Sequence, residues 1–113
     1  MIDLDGDGRE QTGWVLLYLH VAEADRVAMG TRVNTDDPIG HPSCEGGQRP
    51  TGTHVHLARK YNGEWIAADG PLPFLLSGWQ AHAGPKPYQG ALTKGDQTVT
   101  ANPGGRQTSI IVR

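Results

Sequence analysis

The sequence His54-Val55-His56 places two imidazoles two positions apart in a stretch that favours a β-strand. Thr53, Val55 and Leu57 are β-branched or apolar, as a pleated strand prefers. Side chains alternate between the faces of a strand, so His54 and His56 are expected on the same face, roughly 6–7 Å apart. Paired imidazoles on a rigid strand are typical of metal sites and acid–base sites. The same pattern also occurs in strands whose histidines only face solvent.

A third histidine, His20, lies at the end of another predicted strand, residues 13–21. Apolar residues occupy both faces of this strand, which predicts a central, covered position in a sheet. An unpaired imidazole at the end of an apolar face would be costly to bury, so we expect His20 to have a partner. The residues predicted to share its face are Trp14, Leu16 and Tyr18.

A long Gly- and Pro-rich loop, residues 41–52, leads directly into the paired histidines. Loops of this length without regular structure are uncommon in small domains and are often functional. The loop contains Cys44, which is the only cysteine of the chain. It is therefore either a buried thiol or one half of a disulfide whose partner is missing.

The composition predicts an all-β fold, a small antiparallel β-sheet domain with long Gly/Pro-rich loops. Sixteen glycines and eight prolines in 113 residues favour turns and short strands over long helices. This length suits one domain or part of one. With a net charge of −2 and 19% charged residues, nothing favours nucleic acid or an acidic membrane as a partner. No apolar run is long enough to predict a membrane span.

Short apolar runs between turn residues predict the remaining strands. The dipeptide Asn62-Gly63 is the strongest short hairpin signal and predicts a hairpin over residues 61–66. Other strands are predicted at residues 2–4 and 98–101, with two more between residues 22 and 40 around a tight turn at Gly30. Residues 108–112 are predicted to be either a final strand or the start of a linker.

Two later segments are predicted to lack regular structure. Residues 71–79 are apolar but interrupted by proline, so we expect irregular chain that packs over the sheet, with Trp79 in the core. Residues 81–92 are expected to be a loop that exposes His82.

The N-terminal residues have neither the basic nor the apolar region of a signal peptide. They resemble the end of a strand, so we expect the domain to be truncated on its N-terminal side. Asp3, Asp5 and Asp7 match the opening of an EF-hand-type calcium loop, but Trp14 stands where that loop has its bidentate Glu. We favour a solvated hairpin turn there and rank a calcium- or carbohydrate-binding β module last.

Three stretches in order carry a resemblance to a known family. They are Tyr18-Leu19-His20, the pattern Val27-x-x-Gly30-x-x-Val33 followed by Ile39-Gly40, and Ser43-Cys44-Glu45-Gly46-Gly47 with residues 51–56 and Tyr61-Asn62-Gly63. Together they resemble the lysostaphin- and staphylolysin-type zinc endopeptidases, or LytM-type domains, and most closely the staphylolysin branch. The resemblance is good over about residues 2–68 and loose beyond. It implies a partial LytM-type domain at residues 1–101 and a tail or linker at residues 102–113.

The resemblance implies an extracellular or cell-envelope hydrolase that cleaves peptidoglycan cross-link peptides with Zn²⁺. His56 matches the zinc ligand of the family's H-x-H motif. His54 and His20 match the two catalytic histidines that polarise the attacking water and the developing oxyanion. Catalytic zinc holds such a water in the position left open by three protein ligands.

The sequence departs from the family in its zinc ligands. The other two ligands come from an H-x-x-x-D motif upstream, which this sequence lacks. Whether the chain alone is an enzyme is therefore open. We favour part of a longer domain, because in the staphylolysin branch the cysteine that matches Cys44 pairs with an upstream cysteine. The alternatives are a degenerate, non-catalytic wall-binding or regulatory domain, and a zinc site of three histidines, His20, His54 and His56.

Overall fold

The computed structural model describes residues 1–45, 53–87, 89–102 and 111. These ranges are all-β and contain no helix, as predicted, and so no helix with the length and apolar character of a membrane span. The strands form two four-stranded antiparallel sheets, in the orders β1-β2-β3-β4 and β5-β6-β7-β8. They are β1 (Ile2–Asp3), β2 (Trp14–Leu19), β3 (His56–Tyr61), β4 (Glu64–Trp65), β5 (Leu75–Leu76), β6 (Trp79–Ala83), β7 (Gly90–Lys94) and β8 (Gln97–Thr100).

The chain divides into two compact units, Met1–Ile66 and Ala67–Arg113, and each contains one of the sheets. The division into a domain at residues 1–101 and a tail at 102–113 stays a prediction. Most of that tail lies outside the described residues, as does the final strand or start of a linker predicted at residues 108–112, apart from Ile111.

The core of the first unit is built on β2. Val15 is 0% exposed and pairs with Asp3 on one side and Lys60 on the other. The neighbouring Trp14 packs its ring against Tyr61, with ring centroids 4.9 Å apart. The central position predicted for this strand is confirmed.

Replacing Val15 by alanine is expected to lower the free energy of unfolding by about 2 kcal/mol, because two buried carbon groups are lost and a cavity is left. Unfolding in urea measures the change. Met29→Ala is the control, since Met29 is fully exposed and its truncation should change stability by less than about 0.5 kcal/mol. Equal losses in the two variants would contradict the buried position of Val15.

The predicted hairpin at Asn62-Gly63 is confirmed. Asn62 and Gly63 have φ angles of 49° and 82°, which are the values of a type I′ turn. The turn is also joined to the start of β2, because the amide of Gly13 donates to Asn62 Oδ1 and the amide of Asn62 donates to the carbonyl of Gly13, both at 2.9 Å.

The two short strands predicted between residues 22 and 40 are absent from this fully described segment. Two backbone hydrogen bonds span it, from the amide of Ala22 to the carbonyl of His41 at 2.9 Å and from the amide of Val27 to the carbonyl of Ile39 at 3.1 Å. Local turns at residues 28–31 and 34–37 use the backbone groups that a ladder would need. The tight turn predicted at Gly30 is present, with φ of 83°.

The prediction for residues 81–92 is wrong, because β6 continues to Ala83 and β7 begins at Gly90. Gly84, Pro85 and Pro87 lie in the connection between the strands, which the hydrogen bond from the Gly84 amide to the Gln89 carbonyl closes. His82 is half-buried in β6, and its Nε2 lies 2.8 Å from Thr93 Oγ1. It is therefore a paired strand residue and not an exposed loop residue.

Residues 71–79, predicted to be irregular, contain the short strand β5. The pairing of Leu76 with Trp79 makes a tight hairpin with β6. Trp79 itself is 8% exposed, so its predicted place in a core is confirmed.

Candidate functional site

The imidazoles of His20 and His54 lie against each other, with ring centroids 4.7 Å apart and ring planes at 49°. His20 follows the last residue of β2, and His54 lies just before β3. The structure therefore brings together two of the three histidines that the sequence singles out, from separate segments of the chain.

The backbone of His20 is unusual. Its φ of 62° lies in the left-handed region, which residues with a Cβ seldom occupy. Side chains alternate between the two faces of a regular strand, so His20 would lie on the face opposite Leu19. His56 pairs with Leu19 and shares its face, so His20 would also lie on the face opposite His56. The turn at His20 ends β2 and breaks this alternation.

The strand predicted to carry His54 and His56 begins only at His56, where the pairing with Leu19 ends. Because the chain turns at His20, β2 offers no further partner to the residues before His56. His54 instead forms an isolated antiparallel bridge with Ser43. The prediction that one strand carries both histidines is therefore wrong for His54.

Residues 43–45 hold the backbone of His20 and have no counterpart in the predicted site. The amide and the hydroxyl of Ser43 both donate to the carbonyl of His20, at 2.7 and 3.2 Å. The amide of Glu45 donates to Ser43 Oγ at 2.9 Å, and the Glu45 carboxylate accepts from the amide of Glu23 at 2.7 Å. The sequence signals for these residues are their position in the long loop and their place in the stretch Ser43-Cys44-Glu45-Gly46-Gly47 of the resemblance, and neither signal assigns these roles.

The ring of His20 has a defined partner. Its Nδ1 lies 3.1 Å from the carbonyl oxygen of Glu45. A carbonyl oxygen only accepts hydrogen bonds, so a hydrogen bond in this contact requires the proton on Nδ1. In the neutral ring, the lone pair is then on Nε2, which can accept a proton or a hydrogen bond. The expectation that His20 needs a partner is met by this backbone carbonyl.

His56 occupies the first position of β3, and its side chain is exposed. Within the described part of the chain, its imidazole forms no hydrogen bond or ion pair. Its nitrogens are therefore available to an external ligand, as a metal-binding role requires.

The three histidines do not form a three-ligand metal group. Among the described residues, the only three His, Cys, Asp or Glu side chains with ligand atoms all within 4.8 Å of one another are Asp3, Asp5 and Asp7. The alternative zinc site of His20, His54 and His56 is therefore not supported. His56 contributes at most one ligand of the three that catalytic zinc takes.

The acidic cluster consists of Asp3, the last residue of β1, and of Asp5 and Asp7 in the turn between β1 and β2. The Gly8 amide donates to Asp3 Oδ2 at 2.6 Å and, as the largest cause, lowers the pKa of Asp3. The Asp7 amide lowers the pKa of Asp5, but desolvation and the neighbouring carboxylates outweigh it, so the pKa of Asp5 is raised. Backbone amides thus occupy several of the carboxylate oxygens, as in a solvated turn.

Cys44 is exposed, with its Sγ 3.9 Å from Thr53 Oγ1. Exposure excludes the first of the two states considered for this residue, a buried thiol. Pairing with a cysteine outside this sequence stays a prediction.

The second unit has a shallow hollow of about 390 Å³ at the β6–β7 hairpin, lined in part by His82, Gly84 and Ala91. The described lining contains no acidic side chain, lysine or arginine. We assign no chemistry to it.

No family model, curated protein or solved structure matches this chain. The geometry of the two histidines and the contacts that hold them are therefore the basis for a functional assignment.

Proposed function

We propose that this chain carries the two catalytic histidines, His20 and His54, and one zinc ligand, His56, of a LytM-type metallo-endopeptidase site. The single observation that carries the proposal is the contact between the rings of His20 and His54 at 4.7 Å. The resemblance assigns a catalytic role to both histidines, and their side chains meet although they come from separate segments of the chain. The unit Met1–Ile66 also nearly coincides with the range of good resemblance, about residues 2–68.

The two histidines suit acid–base work on a peptide bond. His20 donates from Nδ1 to the Glu45 carbonyl, so its Nε2 is the atom that can take or return a proton. The adjacent His54 can act as a proton donor or hydrogen-bond donor to the carbonyl oxygen on which negative charge develops. Both roles need a side chain held in one orientation, and the contacts of residues 43–45 supply this for His20.

The described residues do not make a three-ligand zinc site around His56 by themselves. His56 offers one exposed imidazole, and the described part of the chain does not complete a group of three ligands with it. We therefore propose that activity requires two further ligands, of the kind that the family's H-x-x-x-D segment provides.

The proposed substrate is a peptidoglycan cross-link peptide, and the proposed location is extracellular or in the cell envelope. Both rest on the resemblance of residues 18–63. An extended peptide is a suitable ligand because His54 and His56 are exposed and reachable from solvent.

A second candidate is a degenerate, non-catalytic domain that binds wall peptides or regulates a partner enzyme. The incomplete ligand set favours it. The close contact of His20 and His54 favours the enzyme, because a binding surface does not require two imidazoles held in this way.

The experiment is to join an H-x-x-x-D segment of the family ahead of Met1, giving the extended protein, and to assay hydrolysis of peptidoglycan peptides with and without zinc. We expect cleavage that depends on zinc and on the joined segment. Zinc binding without cleavage, together with retained binding of wall peptides, would favour the non-catalytic candidate.

A further inference from the structure

We infer that Glu45 is a positioning residue that fixes His20 in the tautomer with the proton on Nδ1. Its catalytic consequence rests on the proposed function, but the tautomer itself does not. Glu45 acts at two points, through its main-chain carbonyl on the ring of His20 and through its side-chain carboxylate on the chain that follows His20.

The first contact selects the tautomer. The carbonyl oxygen of Glu45 lies 3.1 Å from His20 Nδ1, and this hydrogen bond exists only when Nδ1 is protonated. The tautomer with the proton on Nε2 would bring two acceptors together, the Nδ1 lone pair and the carbonyl lone pair. The site therefore favours a neutral His20 whose Nε2 is the proton acceptor.

The second contact keeps that carbonyl in place. The carboxylate of Glu45 accepts a hydrogen bond from the Glu23 amide at 2.7 Å, a short bond of the kind that a charged acceptor makes. The amide of Glu45 is held at the same time by Ser43 Oγ, at 2.9 Å. Ser43 in turn donates to the carbonyl of His20. Residues 43–45 thus contact His20 both at its carbonyl oxygen, through Ser43, and at its ring, through Glu45.

This arrangement gives Glu45 a role in the proposed reaction without contact to the substrate. A histidine whose tautomer is fixed by its second nitrogen presents the correct lone pair at each turnover. Loss of the Glu45 carboxylate would release the carbonyl and let His20 populate both tautomers.

The test is ¹⁵N NMR of the histidine rings in the full chain at a pH where His20 is neutral, with no zinc or substrate present. We expect a protonated Nδ1 and an unprotonated Nε2 for His20, and a shift towards a mixture of tautomers in Glu45→Ala. Glu45→Gln keeps an acceptor oxygen for the Glu23 amide and is expected to retain the tautomer. Glu64→Ala, an exposed glutamate on β4, is the matched control and should change nothing.

A protonated Nε2 on His20 in the unmodified chain would overturn the inference. A folded Glu45→Ala variant with the unmodified tautomer would equally overturn it. Because the measurement involves no hydrolysis, failure of the extended protein to cleave peptide would count against the proposed function and leave this result standing.

Discussion

Replacing His54 by alanine in the extended protein is expected to lower the rate of peptide hydrolysis by about 10²- to 10⁴-fold. This is the usual contribution of a positioned acid–base group. His54 contacts the ring of His20 at a centroid distance of 4.7 Å, so its removal takes away one of the two groups proposed to handle the proton and the developing negative charge. Initial rates on a defined peptidoglycan peptide, at saturating zinc, measure the loss.

The matched control for this substitution is His41→Ala. His41 is exposed in the same unit, and its described backbone contact is the carbonyl that accepts from the Ala22 amide, which the substitution retains. Its truncation should leave the rate within about twofold, since surface substitutions of this kind perturb the fold little. Equal rates for His54→Ala and the unmodified extended protein would contradict a catalytic role for His54.

The affinity for zinc is expected to differ by several orders of magnitude between this chain and the extended protein. One exposed imidazole, His56, does not hold zinc tightly, whereas catalytic zinc is held by three protein ligands. We expect a Kd weaker than about 1 µM for the chain alone, which corresponds to less than about 8 kcal/mol of binding free energy. Titration against a chromophoric chelator measures both proteins.

His56→Ala is expected to abolish the tight binding of the extended protein, and His41→Ala to preserve it. Sub-micromolar zinc binding by this chain alone would contradict the incomplete ligand set. Such binding would indicate that other side chains supply zinc ligands. Among the described residues, Asp3, Asp5 and Asp7 form the one group of three with ligand atoms close together.

The parts of the fold that follow from local chemistry could be predicted. The apolar residues on both faces of β2 predict a central strand, and Val15 is fully buried there. The Asn62-Gly63 turn was predictable because its φ angles suit few other residues.

The second sheet was harder to predict because its signals conflict. The segment around His82 is rich in glycine and proline, which suggests a loop, yet β6 and β7 pair from Gln80 with Thr93 to Ala83 with Gly90. Pairing between segments supplies the stability that local propensity lacks, and the sequence of one segment does not show its partner.

At the site, the strand patterns of the sequence do not explain how His20 and His54 meet. Alternation along β2 and β3 would not place these rings together. The left-handed turn at His20 and the bridge between Ser43 and His54 do so. Neither has a reliable sequence signature, because both depend on contacts between distant segments.

The central claim is that His20 and His54 act as one acid–base unit, and a double-mutant cycle in the extended protein tests it most directly. The measurement is kcat/KM for peptide hydrolysis in His20→Ala, His54→Ala and the double variant. For groups that act together, the double variant is expected to lose little more than either single variant. Losses that multiply in the double variant, or single variants that keep full activity, would contradict the claim.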